Sequence, residues 1–160
     1  LFAKMILYAI GPLLTLSFIF FTSKKNEKYH HAVFIGAFLL FIIGGIGVNL
    51  GYGMFGRLMI ESLFGDKFLS LYPYIEWAAL FGTGYVMMMF MMNYFLAKKS
   101  FVSLVPAILF PIYLAGLFFY ADQLVKVMYV DTIYTFATIT IFLLVFFKNR
   151  LTYLLQLFKK

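Results

Sequence analysis

Apolar residues arrive in five long blocks separated by short polar gaps. The blocks cover residues 5–22, 32–56, 77–97, 101–121 and 127–147. Each approaches or exceeds the roughly 20 helical residues that cross a hydrocarbon core. Inside a block the apolar character is continuous. A transmembrane β-strand would instead alternate apolar and polar residues over about 10 positions. Backbone groups in lipid must find partners within their own segment, so each block is read as a helix. The pattern predicts an all-α, polytopic transmembrane bundle of five spans, forming a single transmembrane domain over residues 1–160.

The gaps add topology. Lys98-Lys99-Ser100 is so short that the spans on either side must form a helical hairpin. The longer connector, 56–76, mixes Arg57, Glu61, Asp66 and Lys67 with Leu58, Met59, Ile60, Leu63 and Phe64. It reads as a helix end followed by a stretch lying on the membrane surface. If the Lys24–His31 loop is cytoplasmic, alternation also places Lys98, Lys99, Lys148, Arg150, Lys159 and Lys160 there. Lys4, Arg57, Lys67 and Lys126 fall outside, with Glu61, Asp66, Glu76, Asp122 and Asp131. That is the arrangement of the positive-inside rule, with a cytoplasmic C-terminus and Leu1 outside. A chain that opens on Leu1, without a signal peptide, is expected to continue upstream as part of a larger protein.

Composition narrows the class. Hydrophobic residues make up 64% and charged residues 12%. Soluble domains carry about 25% charged residues, so lipid must be part of this chain's solvent. The net charge of +7 would raise nucleic acid for a soluble domain. Here the basic residues sit between spans and set orientation, and no nucleic-acid partner is expected. With no cysteine, disulfides, zinc–thiolate sites and thiol catalysis are excluded. His30-His31 lacks a third metal ligand and falls in a basic loop. Hydrolase and phosphate-loop motifs are missing. No catalytic residue, metal or cofactor is assigned, and the protein is read as a non-enzyme.

Several residues inside the spans are candidates for function. Gly47 and Gly51 have the small-xxx-small spacing that brings helices close, so they are read as packing positions, with a flexible hinge as the other reading. Asn49 lies beside them and would either link helices or bind sugar hydroxyls. Arg57 would anchor at the interface or grip a phosphate in a two-pronged way. Pro106 and Pro111 should kink the fourth span, and Pro12 the first. Asp131 lies just inside the fifth span, where an ionisable group is a functional candidate by default. Its expected partner is Lys126. Thr132, Thr135 and Thr138 form a polar row. Met87, Met88, Met89, Met91 and Met92 are read as lipid-facing filler. Asn93 closes the third span and joins Arg57, Asn49 and Asp131 as a candidate substrate contact.

One pattern reaches beyond composition. Leu63-Phe64-Gly65 with Phe68 is followed by Gly82-Thr83-Gly84-Tyr85, then by Asn93-Tyr94, Ala97 and Lys98. This resembles the C-terminal half of the polysaccharide flippases in the multidrug/oligosaccharidyl-lipid/polysaccharide exporter superfamily. The resemblance implies the last five of about 12 to 14 helices in a two-lobed transporter. It implies a multi-pass protein of the bacterial cytoplasmic membrane that flips an undecaprenyl-pyrophosphate-linked oligosaccharide for surface polysaccharide biosynthesis. Besides the bilayer and that substrate, a polysaccharide polymerase and chain-length proteins would be partners. Other exporters of the superfamily, for drugs or lipid II, remain open. So does a membrane enzyme or accessory subunit of polyprenyl-phosphate glycan assembly.

Overall fold

The computed structural model describes residues 2–157, with the side chains of residues 26, 27 and 149–157 outside that description. Arg150's side chain, Lys159, Lys160 and Leu1 therefore lie outside the described residues. Five α-helices follow in order: α1 (Phe2–Thr22), α2 (His30–Phe64), α3 (Ile75–Ala97), α4 (Val105–Tyr120) and α5 (Leu124–Leu157). Strands are lacking among the described residues. Five helices are long and apolar enough to cross a membrane, so the protein is an all-α, membrane-embedded helical bundle.

The helix bounds differ from the apolar blocks for physical reasons. α2 has 35 residues, about 52 Å, and outruns a hydrocarbon core of about 30 Å. It runs through Arg57 and Glu61 because nothing there breaks a helix. It stops at Gly65, whose φ of +81° suits a residue without Cβ and whose N–H caps Glu61 O at 2.9 Å. Residues 66–74 then wind as 3-10 turns and fold back along α2, where the Tyr72 hydroxyl donates to Gly53 O. The connector is thus half helix and half return strap. Pro106 sits in the first turn of α4, where a missing N–H costs nothing, so only Pro111 lies in that helix's interior.

α3 is the axis. It packs against α1, α2 and α5, whereas α4 packs on α5 and on the turn before it. Close approach is what glycine permits. A Cβ on Gly82 would stand 2.9 Å from the Ala3 backbone, and one on Gly84 would stand 3.1 Å from Thr135. The α2 crossing uses Gly45, Gly53 and Gly56, and a Cβ on the last would stand 2.9 Å from the Ile75 side chain. The packing expected at Gly47 and Gly51 is not made: a Cβ there meets nothing within 4 Å, because those glycines point off the face that meets α3. Lipid supplies no hydrophobic drive between helices, so such van der Waals contact must hold the bundle.

An aromatic cluster locks one end. Phe34 stacks on Phe146 at 4.3 Å and meets Tyr94 at 4.5 Å, while Tyr94 meets Phe21 edge-on at 5.1 Å. These rings come from α1, α2, α3 and α5. The methionines join this core: Met88 and Met91 are buried rather than turned to lipid. At the same end, His30 is buried, and its Nδ1 lies 2.8 Å from Lys98 Nζ. The His31 ring lies 5.6 Å from Phe146. The 24–31 segment, the Lys98-Lys99 turn and the end of the fifth span therefore share one end of the bundle.

Gly82→Ala should destabilise the bundle by about 1–3 kcal/mol, because α1 backbone must move to admit the methyl. Gly47→Ala, with open space and better helix propensity, should be neutral or stabilising by up to about 1 kcal/mol. Denaturant midpoints of the two variants in detergent micelles check the difference.

Candidate functional site

α4 leans on α5 and leaves a groove between itself and α3. The groove holds about 400 Å³ and runs along α3 from Phe81 to Met92, roughly 16 Å at 1.5 Å per residue. Tyr85, Met88, Met89 and Met92 form the α3 wall. Pro106, Phe110 and Tyr113 form the α4 wall, and α5 contributes Asp131 and Tyr134. Four of these side chains carry oxygen, more than in the other apolar clefts of the bundle.

Each polar group is held by its helix. The Tyr113 hydroxyl donates to Asp131 Oδ1 at 2.8 Å. The Tyr134 hydroxyl donates to the Pro106 carbonyl at 2.8 Å. The two tyrosine rings lie 4.7 Å apart and together tie α4 to α5. Above them the hairpin closes at Gly116, where a Cβ would stand 3.2 Å from Val130. The arrangement presents one carboxylate, half-buried, within a wall of rings and thioethers.

The expected Lys126–Asp131 pair does not form. Lys126 bonds Asp122 instead, at 2.7 Å, because the two are four residues apart at the exposed start of α5. The Lys126 hydrogen bond holds the exposed Asp122 carboxyl below the usual carboxylate range. Among the described residues no cation lies within 4.0 Å of Asp131.

The other candidates do not converge on this groove. Asn49 Nδ2 donates to Gly45 O on its own helix and lines a separate cleft between α2, α3 and α5. Asn93 Nδ2 donates to Leu14 O, joining α3 to α1. Arg57 is exposed near the far end of α2. Thr135 and Thr138 are fully buried and bond back to their own helix, whereas Thr132 Oγ1 is buried without a partner.

Two features were missed in the sequence. His30 reads as part of a basic loop, yet it begins α2 and is buried against Phe20 and Phe21. A lysine that donates to Nδ1 leaves the ring's proton on Nε2, which is buried and unpartnered. Tyr113 and Tyr134 carry no signal beyond their type. A helical offset from Asp131 to Tyr134 places both on one face, but only the α4–α5 crossing brings Tyr113 to them.

The motif residues have local tasks. Gly65 takes the positive φ that ends α2, and Phe68 N–H bonds back to Gly65 O. Tyr94 is core, Lys99 adopts φ +54°, and Ser100 caps the turn into α4 by accepting from Val102 N. No protein family, curated protein or solved structure shows significant similarity to the chain.

Tyr113→Phe should cost about 1.5–3 kcal/mol, the range for a hydrogen bond to a charged group. In an Asp131→Ala background the same change should cost well under half of that. A double-mutant cycle on unfolding midpoints measures the coupling, and additive effects would show that the pair contributes nothing.

Proposed function

We propose that this chain is the membrane-embedded part of a transporter that flips an undecaprenyl-pyrophosphate-linked oligosaccharide from the inner to the outer leaflet. The observation that carries the reading is the α3–α4 groove. It runs about 16 Å along α3, is walled by side chains that repack easily, and is supplied with polar groups from α3, α4 and one further helix, α5. A transporter must pass a polar head through the membrane while its tail stays in lipid. A long lateral groove suits that task better than a closed cavity. The Leu63-Phe64-Gly65 and Asn93-Tyr94 motifs support the same reading by resemblance. Packing accounts for both motifs as well, so the groove carries more weight.

Orientation follows from charge. With the Lys24–His31 loop, Lys98 and Lys99 in the cytoplasm, the bundle sits in a bacterial inner membrane with its C-terminus inside. The groove's carboxylate then lies about 10 Å below the outer ends of α4 and α5, seven residues into each. Anionic pyrophosphate is not a match for that carboxylate. In this reading the groove handles the glycan, and exposed Arg57 at the outer end is the phosphate contact this chain supplies.

Two measurements test the proposal. Deleting the gene should abolish surface polysaccharide while lipid-linked precursor accumulates in the inner leaflet; normal export in the deletion strain would reject the flippase. The chain has no cysteine, so single introduced cysteines report topology cleanly. Lys98→Cys and Lys148→Cys should label from the cytoplasm and Lys67→Cys from outside; the opposite pattern would reverse the orientation.

A further inference from the structure

The charge of Asp131 is unanswered. An ionised carboxylate at membrane depth is costly without a counter-charge. Tyr113 gives it one hydrogen bond and no charge, and Lys126 is engaged with Asp122. No other described cation reaches it. A proton could neutralise the group, but a proton needs no surrounding wall. Here the walls are specific. The rings of Phe81, Tyr85, Phe110, Tyr113 and Tyr134 line the same groove, with three methionines beyond them.

We propose that the groove between α3 and α4 is a binding site for a protonated amine carried on a larger amphiphile, with Asp131 as counter-charge and the tyrosines as an aromatic wall. A cation over a ring face is attracted by the ring's quadrupole. Thioethers adapt their shape to the body that bears the amine. A bare metal ion fits poorly. Hard cations want six or more oxygen ligands. This groove offers one carboxylate and three neutral phenol hydroxyls, which fall short of that number even if every oxygen turned inward. An anionic sugar acid would meet Asp131 as a like charge. The amine has two possible sources: an amino sugar on a lipid carrier, or a lipophilic amine. The first source rests on the flippase reading; the site itself does not.

The intact chain in zwitterionic nanodiscs provides the test, read by isothermal titration. The probes are a glucosamine tetramer, its N-acetylated counterpart and benzylamine. The glucosamine tetramer should bind at least tenfold tighter than the uncharged tetramer, and Asp131→Asn should reduce the difference to under twofold. Tyr85→Leu keeps the carboxylate and both tyrosine ties between α4 and α5 and removes a wall, so it should weaken the amine threefold or more, and it serves if Asp131→Asn fails to fold. If only benzylamine binds with Asp131 dependence, the site stands and the saccharide source falls. If no cationic probe loses affinity on removing the carboxylate or the ring, or none binds, the site is overturned, whatever the deletion strain exports.

Discussion

Contact with α3 is the constraint on which the rest of the bundle depends. In lipid, apolar surface gains nothing by leaving the solvent, so helices stay together only where their surfaces fit. α3 meets that demand on three sides. Its Gly82 lets α1 approach to backbone contact, and its Gly84 receives Thr135 of α5. Ile75, at its start, fills the space that Gly56 leaves on α2. Tyr94, near its other end, sits among Phe21, Phe34 and Phe146. α1, α2 and α5 are therefore placed relative to one another chiefly through α3. α4, which meets α3 far less closely, is held mainly through α5.

The groove follows from that inequality. A helix fixed on one side by Tyr113, Tyr134 and the Gly116–Val130 crossing cannot also close on α3. The same two tyrosines that hold α4 in place become the wall of the space it leaves. Function and packing are thus not separable at these positions. A ring that carries a structural hydrogen bond on its hydroxyl still presents its face, and the face is what a cation reads.

How much of this was legible in the sequence depends on the range of the interaction. The five spans were, because a 20-residue apolar block is a local signal. The tight hairpin expected at Lys98-Lys99-Ser100 was not made: α4 leaves the short turn to pack on α5, and a groove separates it from α3. The C-terminal limit of α2 was not: the apolar block thins at Arg57, but a helix ends where the backbone is made to turn, at Gly65. Asp131 was visible as an ionisable group within a span. Its partner was not, since Lys126 is near in sequence and Tyr113 near only in space. Gly47 and Gly51 show the reverse error. Their spacing is a sound packing signal, but spacing cannot say which face of α2 meets a neighbour, and the face chosen carries Gly45, Gly53 and Gly56. His30 failed for a similar reason. Just after three lysines it looks solvated, and only the aromatic end of α1 buries it.

The two polar residues that depart from the usual rules lie in different parts of the bundle and do different work. His30 Nε2 is sealed in protein, so its missing partner is a cost carried within the fold. Asp131 is half-buried in an open groove, so its missing partner is one the surroundings can supply. A buried deficit near Phe20 and Phe21 is repaid by the aromatic cluster that closes that end of the bundle. A charge deficit in an accessible groove has no such compensation among the described residues. That difference in access, rather than the presence of an acid in a membrane helix, is the physical ground for placing the site at Asp131.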